Sequence, residues 1–97
     1  MKIAVASEGR EPSSSVSLRA GRAPYYLIFE DGKLVKVIEN PFRFGGGGAG
    51  FGVAQMLYEE GVKLVIAGQF GPNMLAALRE KGINHREVIG KKVEEVI

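Results

Sequence analysis

The sequence predicts an α/β domain: a mixed five-stranded sheet in the element order β-β-β-α-β-α-β-α, with helices packed on it. Three observations carry this. Asp31-Gly32 stands between two runs of strand formers, the strongest short signal for a hairpin. Two helix–Gly–strand passages, Glu59–Ile66 and Glu80–Ile89, have the pattern of parallel strands joined by right-handed crossovers. Six of the fourteen glycines fall between Gly45 and Gly52, where a strand-like segment meets a helix-like one.

Taken in order, Lys2–Ala6 is a short apolar run and reads as a buried first strand. Ser7 to Arg22 has loop chemistry, with Ser13, Ser14, Ser15 and Ser17 among Gly9, Pro12 and Gly21. A loop this long in a compact domain is commonly functional or mobile. Pro24–Glu30 is rich in strand formers, and Lys33–Glu39 places Leu34, Val35, Val37 and Ile38 among charged residues. Tyr25 and Tyr26 alternate across the first of these strands, so one packs inward and the other faces out. Asn40-Pro41 ends the third strand and leads into the glycine run.

From Gly50 to Glu60 the spacing of Val53, Met56 and Leu57 is helical, and Gly61 fits the residue beyond a helix end. Lys63–Ala67 is a buried strand, followed by the turn Gly68-Gln69-Phe70-Gly71. Pro72 suits the first helical position, and Met74, Leu75 and Leu78 form the apolar stripe of a second helix ending at Gly82. Met56 and Met74 read as core. A strand over Ile83–Ile89 comes next, and Lys92–Ile97 reads as a short helical tail with Val93, Val96 and Ile97 on one side.

The bulk properties bound what such a domain does. With 97 residues, 45% hydrophobic and 25% charged, the chain is one globular domain, residues 1–97, with a modest core. The apolar runs are too short to cross a bilayer, and Met1–Glu8 lacks the features of a secretory signal, so a cytoplasmic protein is expected. Zero cysteines exclude a disulfide framework and thiolate chemistry, and the single histidine, His85, forms no multi-histidine site in a monomer. A net charge of +2, no tryptophan and no basic–aromatic run give no case for nucleic acid.

The topology gathers the loops. If the first strand runs up, the hairpin brings the third up again, and the fourth is parallel to the first. Ser7–Arg22, Asn40–Gly50 and Gly68–Asn73 then share one sheet edge, and both helices begin there. In open α/β sheets that is the edge where ligands bind. Its polar residues are Ser7, Arg10, Arg19, Arg22, Asn40, Arg43, Gln69 and Asn73, with Glu8 and Glu11 as the only carboxylates. Arginines and helix N-termini favour an anion, and a glycine loop brings bare N–H groups close to it.

Known signatures do not complete the picture. Gly45 and Gly50 have P-loop spacing, but Phe51-Gly52 stands where lysine and serine or threonine are needed. Gly45-x-Gly47-x-x-Gly50 meets the dinucleotide pattern formally, with no acidic strand end about twenty residues on. The central strands carry no carboxylate pair for two-metal chemistry. The serines near the first loop have no base beside them, because His85 lies on a later strand, where it reads as a strand-face residue.

Several segments together resemble the dinitrogenase iron–molybdenum cofactor biosynthesis family. They are Lys2-Ile3-Ala4-Val5-Ala6-Ser7, Gly21-Arg22-Ala23-Pro24-Tyr25-Tyr26, Glu39-Asn40-Pro41, the Gly-Gly-Ala-Gly of Gly47–Gly50, Gly61–Gly68 and Gly71-Pro72-Asn73. The parts occur in the family's order over nearly the whole chain. The resemblance implies a ribonuclease-H-like motif without nuclease activity. It also implies a non-catalytic role in binding or carrying an iron–sulfur or iron–molybdenum cluster, or its precursor, during cofactor assembly. Some members carry histidine or cysteine near the glycine loop, and Asn40–Gly50 has neither. Relatives often continue beyond the position of Ile97, which leads to an expectation of apolar surface around Val96 and a monomer or weak homodimer.

The resulting expectation is an accessory factor that holds an anionic cluster transiently at the loop edge. Arg19 and Arg22 would pair with the anion; Ser7, Asn40 and Asn73 would orient it; Gly46, Gly47, Gly48 and Gly50 would supply N–H groups. No residue is expected to ligate metal directly. The partners would be the cluster or another small anion and cofactor-assembly proteins, with no nucleic acid and no membrane. Two alternatives stand beside it: a binder of a small phosphorylated metabolite or nucleotide at the same edge, and a regulatory protein-interaction module.

Overall fold

The computed structural model describes residues 1–45 and 48–97; Gly46 and Gly47 lie outside the described residues. The elements are β1 (Lys2–Ser7), β2 (Tyr25–Glu30), β3 (Lys33–Glu39), α1 (Ala49–Glu59), β4 (Val62–Ala67), α2 (Pro72–Glu80) and β5 (Asn84–Glu87). They form one mixed sheet in the order β3-β2-β1-β4-β5. β2 is antiparallel to both β1 and β3, while β1, β4 and β5 run parallel, so β2 alone runs against the other four. The hairpin between β2 and β3 turns at Asp31 and Gly32, with φ of 52° and 80°. Positive φ at both central residues makes a turn whose twist matches the strands, which is why Asp-Gly marks it in the sequence.

The three inner strands alternate between two cores. Ala4 and Ala6 of β1, Tyr26 and Ile28 of β2, and Val65 and Ala67 of β4 meet Val53, Ala54 and Leu57 of α1 and Met74, Ala77 and Leu78 of α2. Val5, Leu27, Phe29 and Ile66 point the other way. Both helices therefore cover the same face. The cause is topological: β3 to β4 through α1 and β4 to β5 through α2 step in the same direction across the sheet, and right-handed crossovers then return on one side.

The opposite face is covered by chain without α-helix. Val16, Val88, Val93 and Val96 pack on the second cluster. Here the structure corrects the expected helical tail: Val93–Glu95 is a single 3₁₀ turn. The Val93 and Glu94 amides donate to the carbonyls of Ser14 (2.9 Å) and Pro12 (2.9 Å), so the tail bonds to the first loop. Val96 is half-buried in that packing and not a free apolar surface. β5 is also shorter than the expected Ile83–Ile89 strand.

The long first loop is tied down as well. Isolated bridges join Ser7 to Val16, Ser15 to Lys92 and Arg19 to Gln69. Beneath it the fully buried Tyr26 hydroxyl donates to the Ala20 carbonyl, while Tyr25 stays half-exposed. Burial pushes the Tyr26 phenol far above its ordinary value of 10.0. Its contribution to stability is complete below pH 10, where both states are protonated. It is lost as pH rises, because only the unfolded chain ionises. Stability should fall by about 1.4 kcal/mol per pH unit from this group above that point. Chemical denaturation between pH 9 and 11 should show this slope, and Tyr26→Phe should remove this residue's part of it. Among the described residues no helix is long and apolar enough to cross a membrane.

Candidate functional site

The carboxyl ends of β1, β3 and β4 lie at one edge, and α1 and α2 start there. Between the two helix starts is a cleft of about 200 Å³. Ala49 and Gly50 of α1 form one wall, Gly71 to Met74 at the start of α2 form a second, and Gly21-Arg22 a third. The helices begin side by side because Gly50 has no side chain. A Cβ there would lie 2.9 Å from the Met74 Cβ and 3.2 Å from its backbone nitrogen, closer than packed atoms tolerate.

Among the described residues neither helix start has a side-chain cap. Gly48 and Gly71 occupy the N-cap positions without a side-chain hydrogen bond, and neither first turn contains an acidic residue. Pro72 has no N–H to offer, so the free donors of α2 begin at Asn73. The lining holds one formal charge, that of the Arg22 guanidinium, and no carboxylate. Two positive helix ends and a guanidinium give this cleft an attraction for anions.

Asn40 fixes the third wall. Its side chain is buried, with Nδ2 donating to the carbonyls of Gly21 (3.2 Å) and Ala23 (2.9 Å), on either side of Arg22. Its Oδ1 accepts from the Phe42 amide at 2.9 Å. The Phe42 ring in turn rests over Gly52 of α1. One amide side chain thus ties the Arg22 loop to the turn that enters α1.

Two of the expected site residues use their side chains on backbone groups of their own chain. Asn40 spends its side chain on three backbone groups and so ties down the loop that carries Arg22. Ser7 is also buried, its Oγ donating to the Gly9 carbonyl at 2.6 Å and accepting from the Gly9 amide at 3.2 Å. It closes the first turn of the loop. Both were chosen from residue type and loop position, which do not reveal where a side chain's hydrogen bonds go.

Of the other expected site residues, Arg22, Gly50 and Asn73 line the cleft together. Gly48 caps α1 without lining it. Arg19 is exposed on the bridge to Gln69 and lies outside the lining, and Gly46 and Gly47 fall outside the described residues. Arg10 lies over the Tyr25 ring and Arg43 over the Phe44 ring, so neither enters the cleft. Sequence reading missed the wall made by Gly21, Ala49, Gly71 and Pro72, and it placed Met74 in the core alone. The Gly71-Pro72 pair after a strand was the available signal for a helix start facing this edge. Among the described residues no three His, Cys, Asp or Glu gather as a metal site.

Fold and cleft define a small α/β domain whose anion-attracting cleft lies at the carboxyl edge of its parallel strands. Over residues 1–97 the chain matches the dinitrogenase iron-molybdenum cofactor family, and it belongs to that family. Among solved structures it is similar to the apo form of the orange protein from Desulfovibrio gigas, with 28% identity and a TM-score of 0.90, covering 97% of this chain and 81% of that one. It is also similar to a putative NifB protein from Thermotoga, with 34% identity and a TM-score of 0.84, again covering 97% and 81%. A search of curated proteins finds no match.

Proposed function

We propose that this chain is a non-catalytic carrier that holds an anionic iron–sulfur or iron–molybdenum-type cluster, or its precursor, in the cleft during cofactor assembly. The observation that carries this reading is the meeting of two uncapped helix starts with Arg22 over about 200 Å³. Family membership and the two structural neighbours support a cofactor-related accessory role. With no cysteine in the chain, and with His85 away on β5 against the Phe70 ring, the cleft lining offers neither the thiolate nor the imidazole that commonly ligates such metals. The cargo is held by charge and N–H groups. Strand order 3-2-1-4-5 with only β2 reversed supports the ribonuclease-H-like reading of the fold. The working form is a cytoplasmic monomer or weak homodimer that meets cofactor-assembly proteins.

Anaerobic incubation with isolated iron–molybdenum cofactor, followed by gel filtration, tests the proposal. The metal should travel with the protein, and Arg22→Ala should weaken retention about tenfold, the loss of one charge-assisted contact. Metal that elutes free, or binding indifferent to Arg22→Ala, would sink it. A second reading is favoured by the same uncapped helix starts: a phosphate group suits them equally. Thermal shift against phosphorylated metabolites and nucleotides separates the two. A saturating ligand at a hundred times its Kd should stabilise the protein by about 2.7 kcal/mol.

A further inference from the structure

The far side of α2 carries a second groove, of about 210 Å³, between the helix and the outer strand of the sheet. Its floor is apolar: Leu78 and Ile83 are buried and Leu75 half-buried. Its rim holds Arg79, Asn84 and His85, and its lining contains no carboxylate. β5 is the last strand in the sheet, so its outer side has no strand partner. It pairs with β4 from Leu64–Asn84 to Ala67–Glu87 without a register shift, and all four of its residues are exposed.

The two edges of the sheet differ in a way that matters. β3, at the other end, breaks register against β2 between Ile28 and Phe29, and Lys33 and Lys36 lie along it. A bulge and lysines are the devices that keep an edge from pairing with another chain. β5 has no bulge, although it is short and carries Arg86 and Glu87, and beside it under α2 lies a groove whose lining joins Leu75 to Arg79, Asn84 and His85. A free strand edge next to a helix-walled groove is the geometry that accepts an extended peptide as an added strand, with alternate side chains entering the groove.

We propose that β5 and α2 form a docking site for an extended, acidic segment of a partner protein, which adds to the sheet as a sixth strand. An apolar side chain of that segment seats on Leu75, the partly exposed apolar residue of the groove. Its carboxylates meet Arg79 at the groove rim and Arg86 on the other face of β5, opposite Ile66 in register. Charge complementarity selects an acidic segment over a basic one, since Arg79 is the only formally charged residue of the lining. Glu87, next along the His85 face of β5, lies outside the lining and bounds the site at that end. The site is separate from the cleft and stands or falls independently of the cargo proposed there.

The test uses a capped heptapeptide of alternating valine and glutamate, titrated into the whole chain and followed by NMR. Saturable shifts should be confined to β5 and the second half of α2, with slowed exchange of the outward β5 amides. The corresponding valine–lysine peptide should bind about tenfold more weakly. Arg79→Glu, an exposed change, should erase that preference, and Arg86→Glu should do so independently if the first variant folds poorly. No saturable shift at millimolar peptide, or equal binding of the two peptides, overturns the proposal. Shifts at β5 that depend on protein concentration alone would overturn it in favour of pairing with a second copy.

Discussion

Asn40→Ala is expected to cost about 3 kcal/mol of folding stability and to weaken anion binding at the cleft as well. The side chain serves two carbonyls and one amide, all within 3.2 Å. Alanine leaves these backbone groups without their partner, and each unsatisfied buried group costs about 1–3 kcal/mol. Water reaching Gly21 at the cleft wall relieves part of this, which places the total near the lower sum. For a chain of this size the urea midpoint should fall by about 2 M with the slope unchanged. The functional effect follows from position: Gly21 and Ala23 flank Arg22, and releasing their carbonyls frees the guanidinium to leave the cleft. A variant with wild-type stability would show that the amide is replaceable by water. A destabilised variant that binds as before would show that Arg22 is held by something else.

Gly50→Val is the second large effect, with an expected loss of about 3 kcal/mol. Its Cβ would already fall 2.9 Å from the Met74 Cβ, and the two further methyl groups enter a space filled by the start of α2. Overpacking of this kind typically costs about 1–3 kcal/mol, and the few tenths that valine recovers over glycine in helix propensity offset little of it. Thermal unfolding should show a midpoint lower by roughly 12–24 °C, given about 4–8 °C per kcal/mol for a domain of this length. Gly50→Ala should cost less, because alanine recovers about 1 kcal/mol of helix propensity against the same contact. The pair of variants also reads the cleft. Prying the helix starts apart separates the two sets of N–H groups, so anion binding should fall further than Arg22→Ala alone would make it. Equal stability for the wild type, Gly50→Ala and Gly50→Val would mean that the two helices are not in rigid contact.

Much of this fold is written in local chemistry. Asp31-Gly32 specifies the hairpin because a turn with two positive φ values accepts few other pairs. The helices begin near Gly48 and Pro72 and end near Gly61 and Gly82, where glycine and proline punctuate the helical spacing. The parallel run of β4 and β5 follows from the helix that joins them. Even the gathering of Arg22, Gly50 and Asn73 at one edge was legible, since strand direction alone sends their loops to the same end of the sheet.

What the sequence did not contain is the destination of each side chain's hydrogen bonds and the distance between helices. Ser7 and Asn40 look like ligand-facing polar residues by type, and only the tertiary structure shows them consumed by backbone groups of their own chain. The tail pattern of Val93, Val96 and Ile97 suits a helix. It forms one 3₁₀ turn instead, whose first amides, those of Val93 and Glu94, bond to carbonyls of the first loop. The cleft itself depends on Gly50 meeting Met74, a contact between residues 24 positions apart. Local propensity acts over a few residues and therefore determined the elements. Burial and long-range contact decided which polar groups remain free to face the cleft.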